Sequence, residues 1–332
     1  MQAFVPYACR QKRLLRLAMP ALLACALPGA AWSQAADFPT HAVKIAVPSL
    51  AGGGLDAMAR AVATKLAEIW KQPVVVENRP DTRFIIAASY VAKSKPDGHT
   101  LLYSNISIPA INPAIFRSLP YKPSDFAAVA QVSSQPVGLF VNAALPVRST
   151  AELITLLRQQ PGKLNNGSGG PSGLMHAALF KQLTKTEFID INYKGSAASM
   201  MSLASGETQI GFGDMASAGP LLKTGRIRQL AIGSPKRSAL LPDVPTLAES
   251  GVPSYAASSW TGLFAPTGTS PEVIRKINAD VQKVLAMPDV QQWFRSAEIE
   301  IQGGTPEEFE QAVTDARNTW GKLARERGIA FD

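Results

Sequence analysis

Two glycine-rich segments of this sequence have residue types suited to binding an anion. Residues 48–56 read PSLAGGGLD, and residues 166–173 read NGSGGPSG. Each segment lies between a predicted strand and a predicted helix, where glycine lets backbone N–H groups approach a ligand and the helix N-terminus favours negative charge. Both are also compatible with ordinary turns, because Gly and Ser are common turn residues. Together they predict a cleft that holds a carboxylate or a phosphate from two sides.

Groups that could carry out acid–base or nucleophilic catalysis are sparse. The histidines of the chain show no metal-ligand spacing: His41, His99 and His176. Ser168 lies between two glycines, but Asn166 occupies the place of the first glycine in the G-x-S-x-G nucleophile motif. We interpret His176 as a packing or helix-surface residue, with a general base as the alternative. We therefore expect no catalytic residue, no metal site and no enzyme activity.

Residues 211–216 read GFGDMA, which has the G-x-G-x-x-A spacing of a dinucleotide-binding loop and follows a predicted strand. The acidic residue that contacts the ribose about 20 positions later in such proteins has no counterpart here. We expect neither a nicotinamide nor any other cofactor. Asp214, within this segment, could instead accept a hydrogen bond from a ligand amino or hydroxyl group.

The N-terminal segment has the organisation of an export signal. Basic residues precede an apolar stretch at 17–27, and small residues suited to cleavage follow near residues 31–35. The stretch contains Pro20 and is shorter than the about 20 apolar residues that a membrane anchor needs. We expect residues 1–35 to be a removed signal peptide and the mature protein to be periplasmic. Lipid attachment at Cys25 is an alternative.

Removal of this segment changes both the cysteine content and the charge. Cys9 and Cys25 are the two cysteines of the chain, so a mature protein that begins after residue 35 needs no disulfide. Residues 1–35 contain four basic and no acidic residues, so the net charge falls from +8 to +4. A mild positive charge attracts anions, whereas nucleic-acid-binding proteins cluster their basic residues. We expect no nucleic acid partner.

Strand patterns rich in β-branched residues alternate with helical patterns from residue 38 onward. The first series predicts strands at 43–47, 74–77 and 100–104 and helices at 55–70 and 84–93. The second predicts strands at 137–141, 188–191, 208–212 and 229–232 and helices at 172–183, 197–205 and 216–223, after a helix that starts at 149. This alternation predicts an α/β protein with two units of parallel sheet.

The last third of the chain connects these units and closes the fold. Residues 234–259 are rich in Pro, Ser and Gly and predict a long irregular connection, followed by a strand at 262–265. Helix starts carry capping signals at Ser149 with Glu152, at Ser270 before a proline, and at Thr305 with Glu308. The predicted organisation is therefore two medium-sized units within 332 residues.

Beyond these local patterns, the sequence resembles one family along essentially its whole mature length. The matching stretches are Pro48 with the following glycines and Asp56, residues 73–80 (PVVVENRP), 96–102 (PDGHTLL) and 111–113 (INP). They continue at residues 161–165 (PGKLN), 193–195 (YKG), 241–246 (LPDVPT) and 260–266 (WTGLFAP). In order and spacing they resemble the Bug-type substrate-binding receptors of tripartite tricarboxylate transporters.

The resemblance implies a two-lobed periplasmic-binding-protein fold, type II-like, in which each lobe is a sheet flanked by helices and the chain crosses between lobes twice. Residues 36–136 and 234–332 would form the first lobe, and residues 137–233 the second. The implied function is capture of a small carboxylate, such as a di- or tricarboxylate, an amino acid or an aromatic acid. The implied partners are the two membrane components of a transporter, with the receptor itself a monomer.

This sequence departs from the family pattern where a ligand would be selected. After residues 78–80 the family commonly shows a glycine-rich run, but Asp81, Thr82, Arg83 and Phe84 stand here. We hypothesise that Arg83 binds a ligand carboxylate through its bidentate guanidinium or that Phe84 packs on an apolar or aromatic ligand body. The alternative is that Arg83 pairs with Asp81 at the lobe surface. No particular family ligand can therefore be transferred to this chain.

The candidate ligand-binding residues come from both predicted lobes. They are Ser49, Leu50, Ala51, Gly52, Gly53, Asp56, Arg83, Phe84, Asn105, Ser168, Gly169, Gly170, Ser172, Tyr193 and Asp214. Tyr193 is equally compatible with an ordinary half-buried tyrosine. The main alternative function is a ligand sensor for a membrane signalling kinase, and an enzyme or a structural envelope protein fits the sequence less well.

Overall fold

The computed structural model describes residues 38–326 and 328–331. The predicted signal peptide at residues 1–35, its cleavage site and the alternative lipid attachment at Cys25 lie outside the described residues. In the described part of the chain, no helix combines the length and the apolar character that a membrane span requires.

Strands and helices alternate along most of the described chain. The strands are β1 (Val43–Val47), β2 (Val74–Asn78), β3 (Thr100–Asn105), β4 (Phe126–Pro136), β5 (Gly138–Asn142), β6 (Asn165–Ser168), β7 (Ile189–Asn192), β8 (Ile210–Gly213), β9 (Ile227–Ile232), β10 (Ser258–Pro266) and β11 (Glu300–Ile301). The helices are α1 (Gly54–Trp70), α2 (Ile85–Ala92), α3 (Asn112–Ile115), α4 (Thr150–Gln159), α5 (Pro171–Thr184), α6 (Ser196–Ser205), α7 (Met215–Lys223), α8 (Pro271–Leu285), α9 (Pro288–Ser296) and α10 (Pro306–Glu326). A π-helical turn at Ser107–Ile111 follows β3.

The strands form two sheets, of orders β11-β4-β10-β3-β1-β2 and β7-β6-β8-β5-β9. In the first, β1 is parallel to β2 and β3, whereas β10 is antiparallel to β3 and β4. In the second, β6 is parallel to β7 and β8, whereas β5 is antiparallel to β8 and β9. The expectation of parallel sheets is wrong for these antiparallel pairs. The antiparallel strands arise where the chain leaves the first sheet along β4 and returns along β10. The sequence does not predict them, because residue periodicity carries no information on strand direction.

The chain crosses between the two sheets twice. Val137 alone separates β4 from β5, and residues 233–257 connect β9 to β10. The strands β1–β4, β10 and β11 therefore lie in one sheet and β5–β9 in the other, which gives the two-lobed α/β architecture. We propose that the lobes follow the division into residues 36–136 with 234–332 and residues 137–233.

Helices cover the first sheet through buried apolar faces. Met58 and Leu66 of α1 lie in one buried cluster with Ile277 of α8. Trp70, at the end of α1, donates from Nε1 to the buried carboxylate of Asp280 on α8 at 2.7 Å. These contacts fix α1, and with it the loop that joins β1 to α1.

Side-chain caps start the helices where the sequence predicts them. Ser149 Oγ accepts a hydrogen bond from the N–H of Glu152 at 3.2 Å, although the Glu152 carboxylate accepts from Arg148 N–H and not from Ser149. Thr305 and Glu308 form the full reciprocal box, at 2.8 and 3.1 Å. The helix starts are therefore determined locally.

Two strands depart from the sequence expectations. The residue pattern does not predict β4, because its sequence FAAVAQVSSQP is rich in Ala, Ser and Gln. β6 reads NNGS, which the composition assigns to a loop, and it is a strand because β7 and β8 pair with it on both sides. A Cβ at Gly167 would lie 3.1–3.2 Å from three hydroxyl oxygens, so this strand depends on a close backbone approach.

Candidate functional site

A cavity lies between the two sheets, where β3, β4, β6 and β8 end. The free volume inside it is about 50 Å³, well below the roughly 300 Å³ at which ligand pockets begin, so the lobes must part for a molecule larger than a few waters to enter. The first sheet and its connections contribute Leu55, Met58, Phe84, Asn105, Ser107, Gln135, Pro136 and Ser259. The second contributes Gly169, Gly170, Ser172, Gly173, Ser196, Phe212, Gly213 and Asp214, and Val137 lies at the crossing between them.

The lining of this cavity divides into apolar and polar groups. Phe84, Val137 and Phe212 belong to one buried apolar cluster, and Leu55 packs against it. The polar side chains are Asn105, Ser107, Gln135, Ser172, Ser196, Asp214 and Ser259. Among the described residues, no lysine, arginine or histidine lines the cavity. An anionic group there would be bound by amides and hydroxyls and not by cationic side chains.

The carboxylate of Asp56 holds the loop before α1. Asp56 is 3% exposed and accepts hydrogen bonds from Gly52 N–H and Asn78 Nδ2, each at 2.9 Å, and from Arg60 Nε at 3.0 Å. Burial opposes the charged form, but the hydrogen bonds from Arg60, Gly52 and Asn78 outweigh it and lower the pKa of Asp56. Asn78 Nδ2 also donates to the carbonyl oxygen of Ser49 at 3.0 Å. Asp56 thus positions the loop and does not line the cavity.

We expect Asp56→Ala to lower the free energy of unfolding by about 1.5 kcal/mol, because three donors in and beside the loop lose their charged acceptor. Urea denaturation measures this change. Glu68→Ala on the same helix is the matched control, because Glu68 pairs with Lys65 at the exposed surface and exposed pairs contribute little. An equal loss of stability in both variants would contradict a positioning role for Asp56.

The backbone of the loop before α5 packs directly against the backbone at the start of α6. A Cβ at Gly169 would lie 2.5 Å from the Cα of Ser196, and Gly170 has a φ of 136°, which favours glycine. The N–H of Ser172, in the first turn of α5, donates to Ser107 Oγ of the other lobe at 3.1 Å. The N-terminus of α5 therefore faces the cavity and contacts the opposite lobe.

The loop before α2 presents Phe84 in a rare backbone conformation. Phe84 has φ 62° and ψ 21°, in the left-handed region, and its side chain is 2% exposed. Asp81 braces the turn, because its carboxylate accepts from the N–H groups of Arg83 and Ile86, each at 2.8 Å. Asn112 Nδ2 donates to the carbonyl oxygen of Arg83 at 2.8 Å. A non-glycine residue held in this region by several contacts is typical of a functional position.

The two lobes also touch through main-chain groups beside the cavity. Leu50 N–H donates to the carbonyl oxygen of Lys194 at 3.1 Å, and Gly54 N–H donates to Ser217 Oγ at 3.0 Å. The glycine-rich loop of the first lobe thus reaches the start of α6 and the start of α7. These contacts bring the N-termini of α1, α5, α6 and α7 to one place.

Three of the polar side chains in the lining have buried atoms or lone pairs that can hydrogen-bond a ligand. Ser196 Oγ and Gln135 Oε1 are buried and have no hydrogen-bond partner among the described residues. Asp214 caps α7, with Oδ1 accepting from Ser217 N–H at 2.9 Å and Oδ2 accepting from Ser217 Oγ at 3.3 Å. A carboxylate has further lone pairs beyond these two bonds. The cavity therefore offers both a hydroxyl donor and acceptors to a bound molecule.

The structure brings some of the predicted site residues to the cavity and not others. The residues in the lining are Phe84, Asn105, Gly169, Gly170, Ser172 and Asp214. The residues outside the lining are Ser49, Leu50, Ala51, Gly52, Gly53, Asp56, Arg83, Ser168 and Tyr193.

Side chains outside the lining have other partners. The guanidinium of Arg83 lies 5.0 Å from the centre of the Phe116 ring, and Arg83 is exposed. Tyr193 donates from its hydroxyl to the Glu207 carboxylate at 2.8 Å. Ser168 Oγ accepts from Asn166 Nδ2 at 3.1 Å inside the second lobe. Direct ligand contact by these three side chains stays a prediction. It is not favoured by the structure, because each side chain has another partner and lies outside the cavity lining.

The sequence did not reveal several polar residues of the lining. The sequence around Ser196 gives a partial indication of a binding role, because Ser196 follows the YKG stretch and begins α6. Gln135 had none, because it is the penultimate residue of β4, a strand that the residue pattern does not indicate. Ser107 lies in the π-helical turn and Ser259 in β10, and neither position shows a ligand-binding pattern in sequence.

His176 is a core residue behind the cavity and not a candidate base. It is fully buried, its Nδ1 lies 2.7 Å from the Tyr255 hydroxyl, and its ring packs edge-on against Trp320 of α10. Burial lowers the pKa of His176 to about 3, so the ring is neutral. Within residues 38–326 and 328–331, no cluster of His, Cys, Asp or Glu is arranged to hold a metal ion.

The chain matches known proteins over most of its length. The family model described as "Tripartite tricarboxylate transporter family receptor" matches residues 58–329. Protein BugT of Bordetella pertussis is 33% identical over 309 residues, which cover 91% of this chain and 94% of BugT.

Solved structures share the fold. An R. palustris protein solved with adipate has a TM-score of 0.85 and 36% identity, covering 88% of this chain and 99% of that one. MatC from Rhodopseudomonas palustris, solved with bound malate, has a TM-score of 0.82 and 28% identity, covering 86% and 99%. The periplasmic binding protein BugD has a TM-score of 0.84 and 25% identity, covering 88% and 99%. The resemblance seen in the sequence is confirmed, as is the expectation of a receptor and not an enzyme: this chain belongs to the tripartite tricarboxylate transporter receptor family.

Proposed function

We propose that this protein binds a small organic carboxylate in the cavity between its lobes and delivers it to the membrane permease of a tripartite transporter. The observation that carries this proposal is the convergence of the N-termini of α5 and α6 on a cavity with the buried, unpartnered hydroxyl of Ser196. Helix N-termini and hydroxyl donors are the groups that hold carboxylates where cationic side chains are absent. Relatives of the same fold were solved with adipate and with malate.

The binding step requires recognition and closure, without bond chemistry. The carboxylate would lie against the start of α5, near Gly170 and Ser172, and accept a hydrogen bond from Ser196 Oγ. Asp214 would accept a hydrogen bond from a ligand hydroxyl or amino group, since its carboxylate faces the same cavity. Hinge motion at the two crossings between the sheets would open and close the cleft.

The family works as an extracytoplasmic receptor, and we propose that this chain acts in the periplasm after removal of residues 1–35. Its partners would be the two membrane components of the transporter, which bind the closed lobes. We propose that the receptor itself is a monomer, because one chain supplies both sides of the cavity.

The test is mass spectrometry of small molecules released from the purified protein, followed by melting measurements with a panel of carboxylic acids. An acid present at about 100 times its dissociation constant should stabilise the protein by about 2.7 kcal/mol. We expect at least one acid to raise the melting temperature and to be recovered unchanged. Loss of the shift in Ser196→Ala would assign binding to this cavity. A panel without any shift, or an acid that is converted, would contradict the proposal.

A further inference from the structure

We infer that the cavity selects a monocarboxylate with an apolar body over a dicarboxylate of the same length, and that Phe84 is the residue that sets this preference. The inference rests on the proposed function, because it names the class of acid that the same cavity takes. It follows from the composition of the lining, which combines helix N-termini and hydroxyls for one carboxylate with an apolar wall and no cationic side chain for a second.

The apolar wall is continuous and comes from both lobes. Phe84, Val137 and Phe212 share one buried cluster, and Leu55 packs against it. The side chains of Phe84, Val137 and Phe212 are only 2–6% exposed, so this wall is closed to solvent. Burying an apolar ligand body against such a wall is favourable, because the apolar surfaces of both the ligand and the wall are removed from contact with water.

The position of Phe84 depends on a glycine of the opposite lobe. A Cβ at Gly170 would lie 2.5 Å from Cζ of Phe84, so the ring rests directly on the Gly170 backbone. The left-handed backbone of Phe84, braced by Asp81 and Asn112, aims the ring across the cleft. The ring therefore occupies the space next to the start of α5 that a second polar ligand group would need.

Electrostatics disfavour a second carboxylate in the same cavity. None of the described residues in the lining is a lysine, an arginine or a histidine, and one of them, Asp214, carries a carboxylate. Hydroxyls and amides near Ser172 and Ser196 can satisfy one ligand carboxylate. A second one would lie beside Asp214 or the apolar wall, or meet only the neutral side chains of Asn105, Gln135 and Ser259, none of which carries a positive charge to replace its lost hydration.

The first arm of the test compares two acids of equal carbon count on the wild-type protein. Hexanoate and adipate differ only in that a methyl group replaces one carboxylate. Titration calorimetry should give a dissociation constant for hexanoate at least roughly ten-fold below that for adipate, because the apolar wall meets a methyl group and not a charge. Benzoate, a flat acid with one carboxylate, should also bind more tightly than adipate.

The second arm assigns the preference to Phe84. Phe84→Asn keeps a residue type that tolerates the left-handed backbone and supplies an amide donor. It should shift the ratio of the two affinities toward adipate by roughly ten-fold or more. Ile86→Ala, in the first turn of α2 and 52% exposed, is the matched control and should leave the ratio unchanged.

The outcomes separate this inference from the proposed function. If adipate or malate binds the wild-type protein more tightly than hexanoate and benzoate, the receptor function stands and the preference for a monocarboxylate is wrong. An unchanged ratio in Phe84→Asn would remove Phe84 as its determinant. If no carboxylic acid binds at all, the proposed function itself fails.

Discussion

Gly54→Ala should weaken binding of the preferred acid roughly thirty-fold, about 2 kcal/mol, because the new methyl group prevents the lobes from meeting. A Cβ at Gly54 would lie 2.8 Å from Cγ of Asp214, closer still to its Oδ1, and 3.2 Å from the Cβ of Ala216. Asp214 would have to give up its capping bond to Ser217 N–H, at a cost of about 1 kcal/mol, and the tight contact with the Cβ of Ala216, which cannot rotate away, would add to this cost. Titration calorimetry with the acid that gives the largest melting shift measures the effect.

Gly219→Ala is the matched control for this substitution. Gly219 also lies in a helix, but a Cβ there would meet no heavy atom within 4 Å. Alanine should leave the affinity unchanged, and it should not stabilise α7, because Gly219 precedes Pro220 and a Cβ before proline disfavours the helical backbone. Wild-type affinity in Gly54→Ala would show that the bound protein does not bring α1 and α7 as close as this structure has them.

Acid should destabilise the protein through His176 by about 2 kcal/mol between pH 7 and pH 5. Burial lowers the pKa of His176 to about 3 in the folded protein, whereas an unfolded histidine titrates near pH 6.5. Between these values the unfolded chain binds a proton that the folded chain does not. Stability is therefore complete above about pH 6.5 and falls as the pH decreases toward the folded value. Urea denaturation at a series of pH values measures this slope.

His176→Gln should flatten the pH dependence over the same interval. Glutamine cannot take up the proton, yet its amide can still bond the Tyr255 hydroxyl that lies 2.7 Å from His176 Nδ1. His41→Gln is the control, because His41 lies at the exposed surface and its loss should leave the slope in place. A slope retained in His176→Gln and lost in the control would overturn the assignment of acid sensitivity to the buried ring.

His176 also shows how the cavity is supported from behind. Its helix, α5, supplies the N-terminus that faces the ligand, while its ring contacts Tyr255 of the returning crossing and Trp320 of α10. This packing joins the second lobe to the crossing and to the first lobe at one buried point. A charge on the ring would disturb all three segments, which explains why we expect a global loss of stability and not a local effect.

Local interactions allowed the sequence by itself to determine much of the fold. The starts of α4 and α10 follow from Ser149 and from the pair Thr305 and Glu308, because a cap involves residues three positions apart. The strands β1 and β3 follow from short apolar runs. The glycine-rich loop before α1 follows from composition alone, whereas residues 166–168 of the second segment belong to β6. The stretches that resemble the family identify the receptor class.

Only the tertiary structure decided which residues form the cavity. Asp56 accepts a hydrogen bond from Asn78, 22 positions away in the same lobe, so a residue predicted to touch ligand instead holds a loop. Gln135 enters the lining because β4 crosses between the lobes, and Phe84 meets Gly170 only after two distant loops come together. These outcomes depend on contacts between residues tens of positions apart, which residue periodicity and capping chemistry do not encode.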